Sequence, residues 1–321
     1  MITPIIAIVI PCYNEQGVLK ISIPQLLSVL DELKNRGEIS DQSFILCVND
    51  GSRDSTWKEI VELSNLNSQI RGISLAHNSG HQYALLAGLM EVRSECDAAI
   101  SIDADMQDDP NAIVKMVECF RNGDEIVYGV RKSRATDTWF KRNSARAFYK
   151  LQRSMGLQTI YDHADYRLMS SRALDLLSEY KERNLFLRGI VPLIGLKTAV
   201  VTYDRKERVA GESKYPLKKM LQFSIDGITS FSARPMRWIF NFGLLLLIID
   251  FIIAIYVFCS WLSGNVIMGW SSLMLSIWFL GSIILMSIGI VGEYIGKIFV
   301  EVKSRPRYAI SERVGFPKNN A

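Results

Sequence analysis

The chain has 321 residues, enough for more than one domain, and 49% of them are hydrophobic. Its formal net charge of +4 is too small to indicate a nucleic-acid-binding protein, and no nucleic-acid partner is expected. Five cysteines without CxxC spacing argue against a disulfide framework and a zinc site, so the soluble part is expected in a reducing compartment.

Strands and helices are predicted to alternate along the first 130 residues. Short apolar runs predict strands at residues 5–10, 44–48, 70–75, 98–102 and 125–130. Helices are predicted between them, at residues 18–35, 55–65, 81–93 and 111–121. This alternation predicts an α/β fold whose mostly parallel sheet has helices on both faces.

The fourth apolar run ends abruptly in acidic residues. Asp103 and Asp105 lie two positions apart, so their side chains share one face of an extended chain. Such carboxylates repel each other unless a cation lies between them or one keeps its proton, and hard oxygen ligands suit Mg²⁺ or Mn²⁺ shared with substrate phosphates. The pattern predicts a metal and phosphate site. The alternative is a solvated acidic turn that caps the helix at Asn111.

Polar residues also follow the first two predicted strands, in the segments PCYNE (residues 11–15) and NDGSRD (residues 49–54). Ligands bind at the carboxyl ends of strands in open α/β sheets, so these segments are candidate binding loops. The chain contains neither GxGxxG nor GxxxxGK[ST], which argues against a dinucleotide-binding fold or a P-loop.

Four ordered motifs resemble the successive motifs of family 2 glycosyltransferases. They are PCYNE (11–15), NDGSRD (49–54), NSG (78–80) with Ala84 and Gly88, and DADMQ (103–107). Within that family the chain is similar to the polyprenyl-phosphate glycosyltransferases, which include dolichyl-phosphate mannose synthase and bactoprenol glucosyltransferases. The similarity covers residues 5–219 and continues into the apolar segment. It implies a GT-A fold and a nucleotide-sugar donor.

The resemblance also implies roles for individual residues. Those assigned to the nucleotide base and ribose are Pro11, Tyr13, Glu15 and Asp50. Those assigned to the metal and the diphosphate are Asp103 and Asp105, with Gln107 beside the diphosphate. Asp54, Asn78 and His81 have two equally good explanations, a role at the ligand site or a role in capping and turn hydrogen bonds.

Charged segments farther along the chain point to an acceptor. Arg131 and Arg134 suit an anionic group, although a solvated loop is the alternative. Asp165 and Arg167 resemble the acceptor-side motif of the family, and FLRG (186–189) resembles a further element beside the acceptor. The loop at residues 205–215 resembles a flexible basic loop over the diphosphate, and a polybasic membrane-surface tether is the competing explanation. The residues of this loop expected to contact phosphate are Arg208, Ser213 and Lys214.

The C-terminal third is the most apolar part of the chain. Residues 240–260 and 271–291 are each long enough to span a bilayer, and basic residues lie outside them but not between them. Four domains are therefore predicted. They are a GT-A domain (1–215), an amphipathic interfacial helix (216–236), a two-helix transmembrane hairpin (237–292) and a basic cytoplasmic tail (293–321). The positive-inside rule predicts an integral protein of the inner membrane, with both termini and the catalytic domain in the cytoplasm.

The resemblance implies inverting transfer of a hexose from a nucleotide sugar, with UDP-glucose favoured, to a polyprenyl phosphate such as undecaprenyl phosphate. A phosphate monoester is already largely ionised near neutral pH, so no strong general base is required. The alternatives are another lipid or glycan acceptor, or an inactive membrane adaptor, against which the intact Asp103 and Asp105 pair argues. Asp250, inside the first predicted span, is expected at a helix interface, either with the second span or with another protomer in a homo-oligomer.

Overall fold

The computed structural model describes residues 3–131, 163–183, 185–204, 234–263 and 269–316. These residues divide into two compact units. Residues up to 204 and residues 305–316 form the first unit, whereas residues 234–263 and 269–304 form the second. Residues 216–233 of the predicted interfacial helix lie outside the described residues.

The first unit is built on one sheet that has eight strands among the described residues. The strands are β1 (Ile6–Cys12), β2 (Phe44–Asn49), β3 (Ile70–Leu75), β4 (Ala98–Ser101), β5 (Ile126–Arg131), β6 (His163–Ser170), β7 (Thr198–Tyr203) and β8 (Ile310–Val314). The helices described in this unit are α1 (Leu19–Asn35), α2 (Thr56–Leu66), α3 (His81–Val92), α4 (Ala112–Arg121), α5 (Ser171–Glu179) and α6 (Leu187–Ile190), and a 3₁₀ turn follows at Val191–Ile194.

The order of the strands is β7-β5-β6-β4-β1-β2-β3-β8. Four neighbouring pairs are parallel, namely β1 with β2, β1 with β4, β2 with β3, and β5 with β7. β6 is antiparallel to both β4 and β5, and β8 is antiparallel to β3. The sheet is therefore mostly parallel, as the alternation of strands and helices predicts.

Continuous apolar runs explain why the central strands are covered on both faces. Residues 6–10 of β1 are completely buried, because helices pack on each side of the sheet. Gly88 lets α3 approach the sheet closely, since a Cβ atom there would lie 2.4 Å from Val9 Cγ1 and 2.7 Å from Val48 Cγ2. The motif residue Gly88 thus brings the N-terminus of α3 close to the ends of the central strands.

The edge of the sheet beside β3 is formed by β8, which lies within the predicted basic tail. The Ala76 N–H donates to the Ala309 carbonyl at 2.9 Å and extends the pairing of the two strands. Gly315 follows β8 with φ of 77°, and a Cβ atom there would lie 2.6 Å from the Ile70 carbonyl oxygen. The chain therefore leaves the first unit, forms the helices of the second, and returns to cover an edge that would otherwise offer unpaired backbone groups.

The second unit contains two long helices among its described residues, α7 (Arg234–Leu262) and α8 (Trp270–Lys303). By length and composition, one segment of the described helices is apolar enough to cross a membrane, Phe279–Lys303 with a mean hydropathy of 1.8. This segment overlaps the second predicted span and extends past it. The predicted hairpin of two spans is not confirmed by this finding.

Candidate active site

Three of the loops that carry the sequence motifs meet at one edge of the sheet. β1 lies between β2 and β4 and is parallel to both, with Cys12 opposite Asn49 and Val9 opposite Ser101. The carboxyl ends of all three strands therefore point the same way. In an open α/β sheet this edge is where ligands bind.

Asp50 joins these loops through its backbone and its carboxylate. Its N–H donates to the Cys12 carbonyl at 2.9 Å, and its carboxylate accepts hydrogen bonds from the backbone N–H groups of Ser79 at 2.7 Å and Gly80 at 3.0 Å. Burial raises the pKa of Asp50, and these two N–H groups oppose that rise. Asp50 thus organises the site, and its contact with a nucleotide stays a prediction.

The other residues assigned to the nucleotide lie on or just after β1. Pro11 pairs with Val48 inside the sheet, and the side chain of Tyr13 is exposed at the strand end. The Glu15 N–H donates to Thr56 Oγ1 at 2.9 Å, which ties this loop to the start of α2. The structure therefore places these residues beside the same edge as Asp50.

Asp54 has the capping role that its position suggests. Its carboxylate accepts hydrogen bonds from the N–H groups of Thr56 at 3.0 Å and Gln16 at 3.2 Å. Desolvation raises the pKa of Asp54, but these hydrogen bonds outweigh it and lower the pKa below its ordinary value. Asp54 therefore stabilises the loop at the start of α2.

The acidic pair lies in a turn directly after β4. The Asp103 side chain is 38% exposed. The Gln107 N–H donates to Asp105 Oδ1 at 3.2 Å, and the Gln107 side chain is buried. Met106 adopts φ of 53°, a conformation that is uncommon for a residue other than glycine and that is concentrated at functional sites. Desolvation raises the pKa of Asp103 to about 6, and the carboxylates of Asp165, Asp108 and Asp105 add to this effect while His81 opposes it.

Asp108 stabilises the acidic turn through contacts on its buried side. Its carboxylate is buried and accepts hydrogen bonds from Arg131 Nε at 3.0 Å and from the Tyr203 hydroxyl at 2.7 Å. Arg131 Nη2 lies 2.9 Å from the same Oδ1 atom. The guanidinium predicted to bind an anionic group thus compensates a buried carboxylate of the protein, and its contact with a ligand stays a prediction.

A cationic cluster surrounds Asp165 on the other side of the acidic turn. Arg167 Nη2 donates to Asp165 Oδ1 at 2.5 Å, and Arg188 donates through Nε at 3.2 Å and through Nη2 at 3.1 Å. His81 Nε2 lies 3.5 Å from Asp165 Oδ2 and 3.8 Å from Asp103 Oδ1, and it therefore bridges the two carboxylates.

The charges of this cluster fix the protonation of its members. Desolvation raises the pKa of Asp165, but His81, Arg188 and Arg167 outweigh it and hold the pKa well below its ordinary value. Desolvation lowers the pKa of His81, but Asp165 and Asp103 outweigh it and raise the pKa. Asp165 is therefore a stable anion at neutral pH and is poorly suited to act as a general base.

Three elements that are distant in sequence bring the cluster together. β6 carries Asp165 and Arg167 and places Arg167 opposite Ser101 of β4. The Leu187 N–H at the start of α6 donates to Gln82 Oε1 at 2.9 Å, which ties α6 to the first turn of α3. His81 and Arg188 are consequently both held against the carboxylate of Asp165.

The residues present fit a divalent cation that is shared with a substrate. No group of three or more His, Cys, Asp and Glu side chains suited to a metal occurs within the described ranges. Mg²⁺ is usually held by one or two carboxylates, and substrate phosphates and water complete its coordination. Asp103 and Asp105, partly exposed in the turn after β4, supply that type of donor set.

Four of the predicted phosphate-binding residues lie outside the described residues. They are Arg134, Arg208, Ser213 and Lys214. The structure places His81 and Arg188 at the site, whereas the sequence left a turn hydrogen bond as an equally good explanation for His81 and marked Arg188 only as part of FLRG beside the acceptor. The segment that contains Arg188 did carry a family resemblance, but the pairing of both residues with Asp165 depends on folding and leaves no local signal in the sequence.

The sequence profile described as glycosyl transferase family 2 matches residues 7–177 of this chain. The chain belongs to glycosyl transferase family 2. Among relatives in this family, YkoT of Bacillus subtilis, described as an uncharacterized glycosyltransferase, is 52% identical over 307 residues, covering 96% of this chain and 91% of that protein. The bactoprenol glucosyl transferase of Shigella phage SfX is 37% identical over 310 residues, covering 96% of this chain and 99% of that protein.

Solved structures of similar proteins are more distant. Glucosyl-3-phosphoglycerate synthase from Mycobacterium tuberculosis, in complex with Mn²⁺, UDP-glucose and phosphoglyceric acid, is 16% identical with a TM-score of 0.43, covering 70% of this chain and 78% of that chain. Membership of family 2 agrees with the α/β fold of the first unit, a GT-A-like arrangement with a mostly parallel sheet.

Proposed function

We propose that this protein is an inverting, metal-dependent hexosyltransferase that moves a hexose from a nucleotide sugar, with UDP-glucose favoured, to a polyprenyl phosphate such as undecaprenyl phosphate. One observation carries the proposal. An acidic pair and a cationic cluster lie side by side at the same end of the sheet, joined by His81 at 3.8 Å from Asp103 and 3.5 Å from Asp165. A donor diphosphate with its metal suits the first group, and an acceptor phosphate suits the second. The family and the bactoprenol glucosyl transferase relatives support this reading.

The chemistry follows from the charges at the site. Asp103 and Asp105 would hold Mg²⁺ or Mn²⁺, and the bound cation supplies positive charge that stabilises the leaving diphosphate. The attacking group is a phosphate oxygen of the acceptor, which is largely ionised near neutral pH and needs no base. Asp165, engaged by two arginines, acts as a fixed anion. Direct displacement on the sugar gives a β-linked lipid-phosphate sugar.

A membrane location is part of the proposal. We propose an interfacial helix at residues 216–236, a hairpin of two spans at residues 237–292, and cytoplasmic termini at the inner membrane. The apolar side chains on α7 and α8 support it, since many are exposed, including Phe251, Ile252, Leu285 and Met286. The apolar segment Phe279–Lys303 and the basic flanks of the two helices support it as well.

The activity is tested by incubating the full-length protein in detergent with undecaprenyl phosphate, Mg²⁺ or Mn²⁺ and a panel of UDP- and GDP-sugars. We expect a lipid-linked sugar with one donor, UDP-glucose first, and loss of product on addition of EDTA. Transfer to a different acceptor would contradict the proposed substrate. Absence of both transfer and metal-dependent donor hydrolysis would indicate an inactive adaptor.

We predict that Asp105→Asn lowers transfer by at least about a hundredfold, because a charged ligand of the metal and the diphosphate is lost. The protein should stay folded, because Asp105 is partly exposed in the turn. Asp109→Asn removes the same charge from the same loop outside the acidic pair, and this control should retain most activity. Turnover of Asp105→Asn close to that of the wild type at saturating donor would contradict the metal assignment.

A further inference from the structure

Asp165 is surrounded by more positive charge than it can balance. One carboxylate faces two permanently charged guanidinium groups, Arg167 at 2.5 Å and Arg188 at 3.1 Å, and a histidine at 3.5 Å. The carboxylate side chain is only 12% exposed, so solvent does little to screen this cluster. The cluster therefore keeps an excess of at least one positive charge beside the acidic turn.

The members of the cluster differ in their access to a ligand. The Arg167 side chain is 2% exposed, and its Nη1 donates to the Leu187 carbonyl at 3.4 Å. Arg188 and His81 are 37% and 43% exposed. Arg188 binds Asp165 through Nε and Nη2, and no hydrogen bond of Nη1 is found within the described part of the chain. Arg188 and His81 are therefore the members that a ligand can reach.

The geometry favours an anion with several oxygen atoms. Guanidinium groups bind phosphate through paired N–H donors, and Asp165 holds that of Arg188 in a fixed orientation through two hydrogen bonds. His81 lies between Asp165, which also holds this arginine, and Asp103, so an anion bound by Arg188 and His81 would lie next to the proposed metal ligands. A phosphate monoester, carried by a lipid or by a soluble molecule, has the matching charge.

We propose that Arg188 and His81 bind the phosphate group of the acceptor, and that Asp165 and the buried Arg167 are positioning residues that hold them. This inference rests on the proposed function and deepens it, because it assigns the acceptor phosphate to named side chains. It also gives a reason for a buried carboxylate with three cationic neighbours beside a site that must receive an anionic nucleophile.

The test compares Arg188→Gln, Arg188→Lys and His81→Asn with the wild type. The control is Arg313→Gln, because Arg313 forms an equivalent two-bond pair with Glu91, at 2.6 and 3.2 Å, on the far edge strand. We expect Arg188→Gln to raise the KM for undecaprenyl phosphate about tenfold or more, as loss of a charge-assisted hydrogen bond implies, with the KM for the donor changed less than about twofold. Arg188→Lys should recover part of the loss, His81→Asn should raise the acceptor KM severalfold, and the control should change neither constant.

Binding is measured separately from turnover, by calorimetric titration of farnesyl phosphate in detergent and of glycerol 3-phosphate in water. Weaker binding of farnesyl phosphate alone in Arg188→Gln identifies a lipid phosphate, and weaker binding of both identifies a general phosphate site. If the wild type transfers no sugar to undecaprenyl phosphate, the proposed function fails, but these titrations still test the phosphate site. Unchanged acceptor KM and unchanged binding, or an increase confined to the donor KM, would overturn the inference. If the melting temperature of Arg188→Gln is lower than that of the wild type, KM and binding are compared between Arg188→Lys and the wild type instead.

Discussion

Two carboxylates that face the same histidine have opposite electrostatic surroundings. Desolvation raises the pKa of Asp103 to about 6, whereas the neighbouring cations hold the pKa of Asp165 well below its ordinary value. Pairs of groups whose pKa values are driven apart commonly have different roles in an active site. Asp103 is suited to bind a cation, whose positive charge would favour the ionised carboxylate. Asp165 already pairs with Arg167 and Arg188 and orients their side chains.

We predict that Asp165→Asn reduces the free energy of unfolding by about 3 kcal/mol at pH 7, because it leaves the buried Arg167 without its counter-charge. The folded-state pKa of Asp165 is depressed, so its stabilisation is complete above the unfolded pKa of about 4 and is lost as the pH falls through the lower folded value. The difference between the variant and the wild type should therefore shrink below about pH 4.

Chemical denaturation in detergent at pH 7 and at pH 3 measures this difference. Asp175→Asn is the control, because Asp175 is 64% exposed and pairs with Arg93 only at 3.4 Å. The control should lie within about 0.5 kcal/mol of the wild type at both values. A difference for Asp165→Asn that is the same at pH 3 and pH 7 would contradict the depressed pKa.

The sequence predicts the buried strands well and the exposed edge strand poorly. β3 has the predicted bounds, and β1, β2, β4 and β5 differ from prediction by one or two residues, because continuous apolar runs mark strands buried on both faces. β8 was not predicted. Its middle residues, Ser311, Glu312 and Arg313, are exposed and polar, and a strand on an edge needs no apolar run.

We predict that Gly315→Ala destabilises the first unit by about 2 to 3 kcal/mol. The positive φ of 77° strains any residue with a Cβ atom, and that atom would lie 2.4 Å from Ser64 Oγ and 2.6 Å from the Ile70 carbonyl oxygen. Gly123→Ala separates the two effects, because Gly123 has φ of 89° and no neighbouring atom within 4 Å. This control should cost only about 1 to 2 kcal/mol, and equal losses in thermal melts would show that β8 does not pack as described.

Taken over the whole molecule, the candidate site is only partly predictable from the sequence. The metal pair and the strand-end loops could be predicted, since each motif is local and parallel strands bring their ends to one edge. The pairing of Asp165 with His81 and Arg188 could not, because these residues belong to β6, α3 and α6, which are about 20 to 110 residues apart and meet only in the folded sheet. Asp108 was likewise missed, since its partners Arg131 and Tyr203 lie on β5 and β7.

The proposed topology predicts which helix ends face the outside of the cell. In a Cys259→Ser background, Ser263→Cys at the end of α7 should react with a membrane-impermeant maleimide in intact cells. In the proposed topology, this helix end leads into the segment that connects the two spans outside the cell. Ser304→Cys, immediately after α8, is the matched position and should react only after the cells are permeabilised. Reaction of both cysteines from the same side would rule out the hairpin of two spans.

The return of the chain to β3 has a consequence for biosynthesis. β3 ends at Leu75 and β8 begins at Ile310, so the ribosome makes both long helices before it makes the strand that completes the sheet. Pairing across so large a sequence separation is slow, and until it occurs the β3 edge can recruit foreign strands. A chain that stops at residue 233, the obvious choice for a soluble enzyme, would keep that edge permanently open. In the proposed topology, the two helices would therefore enter the membrane before the catalytic fold is complete.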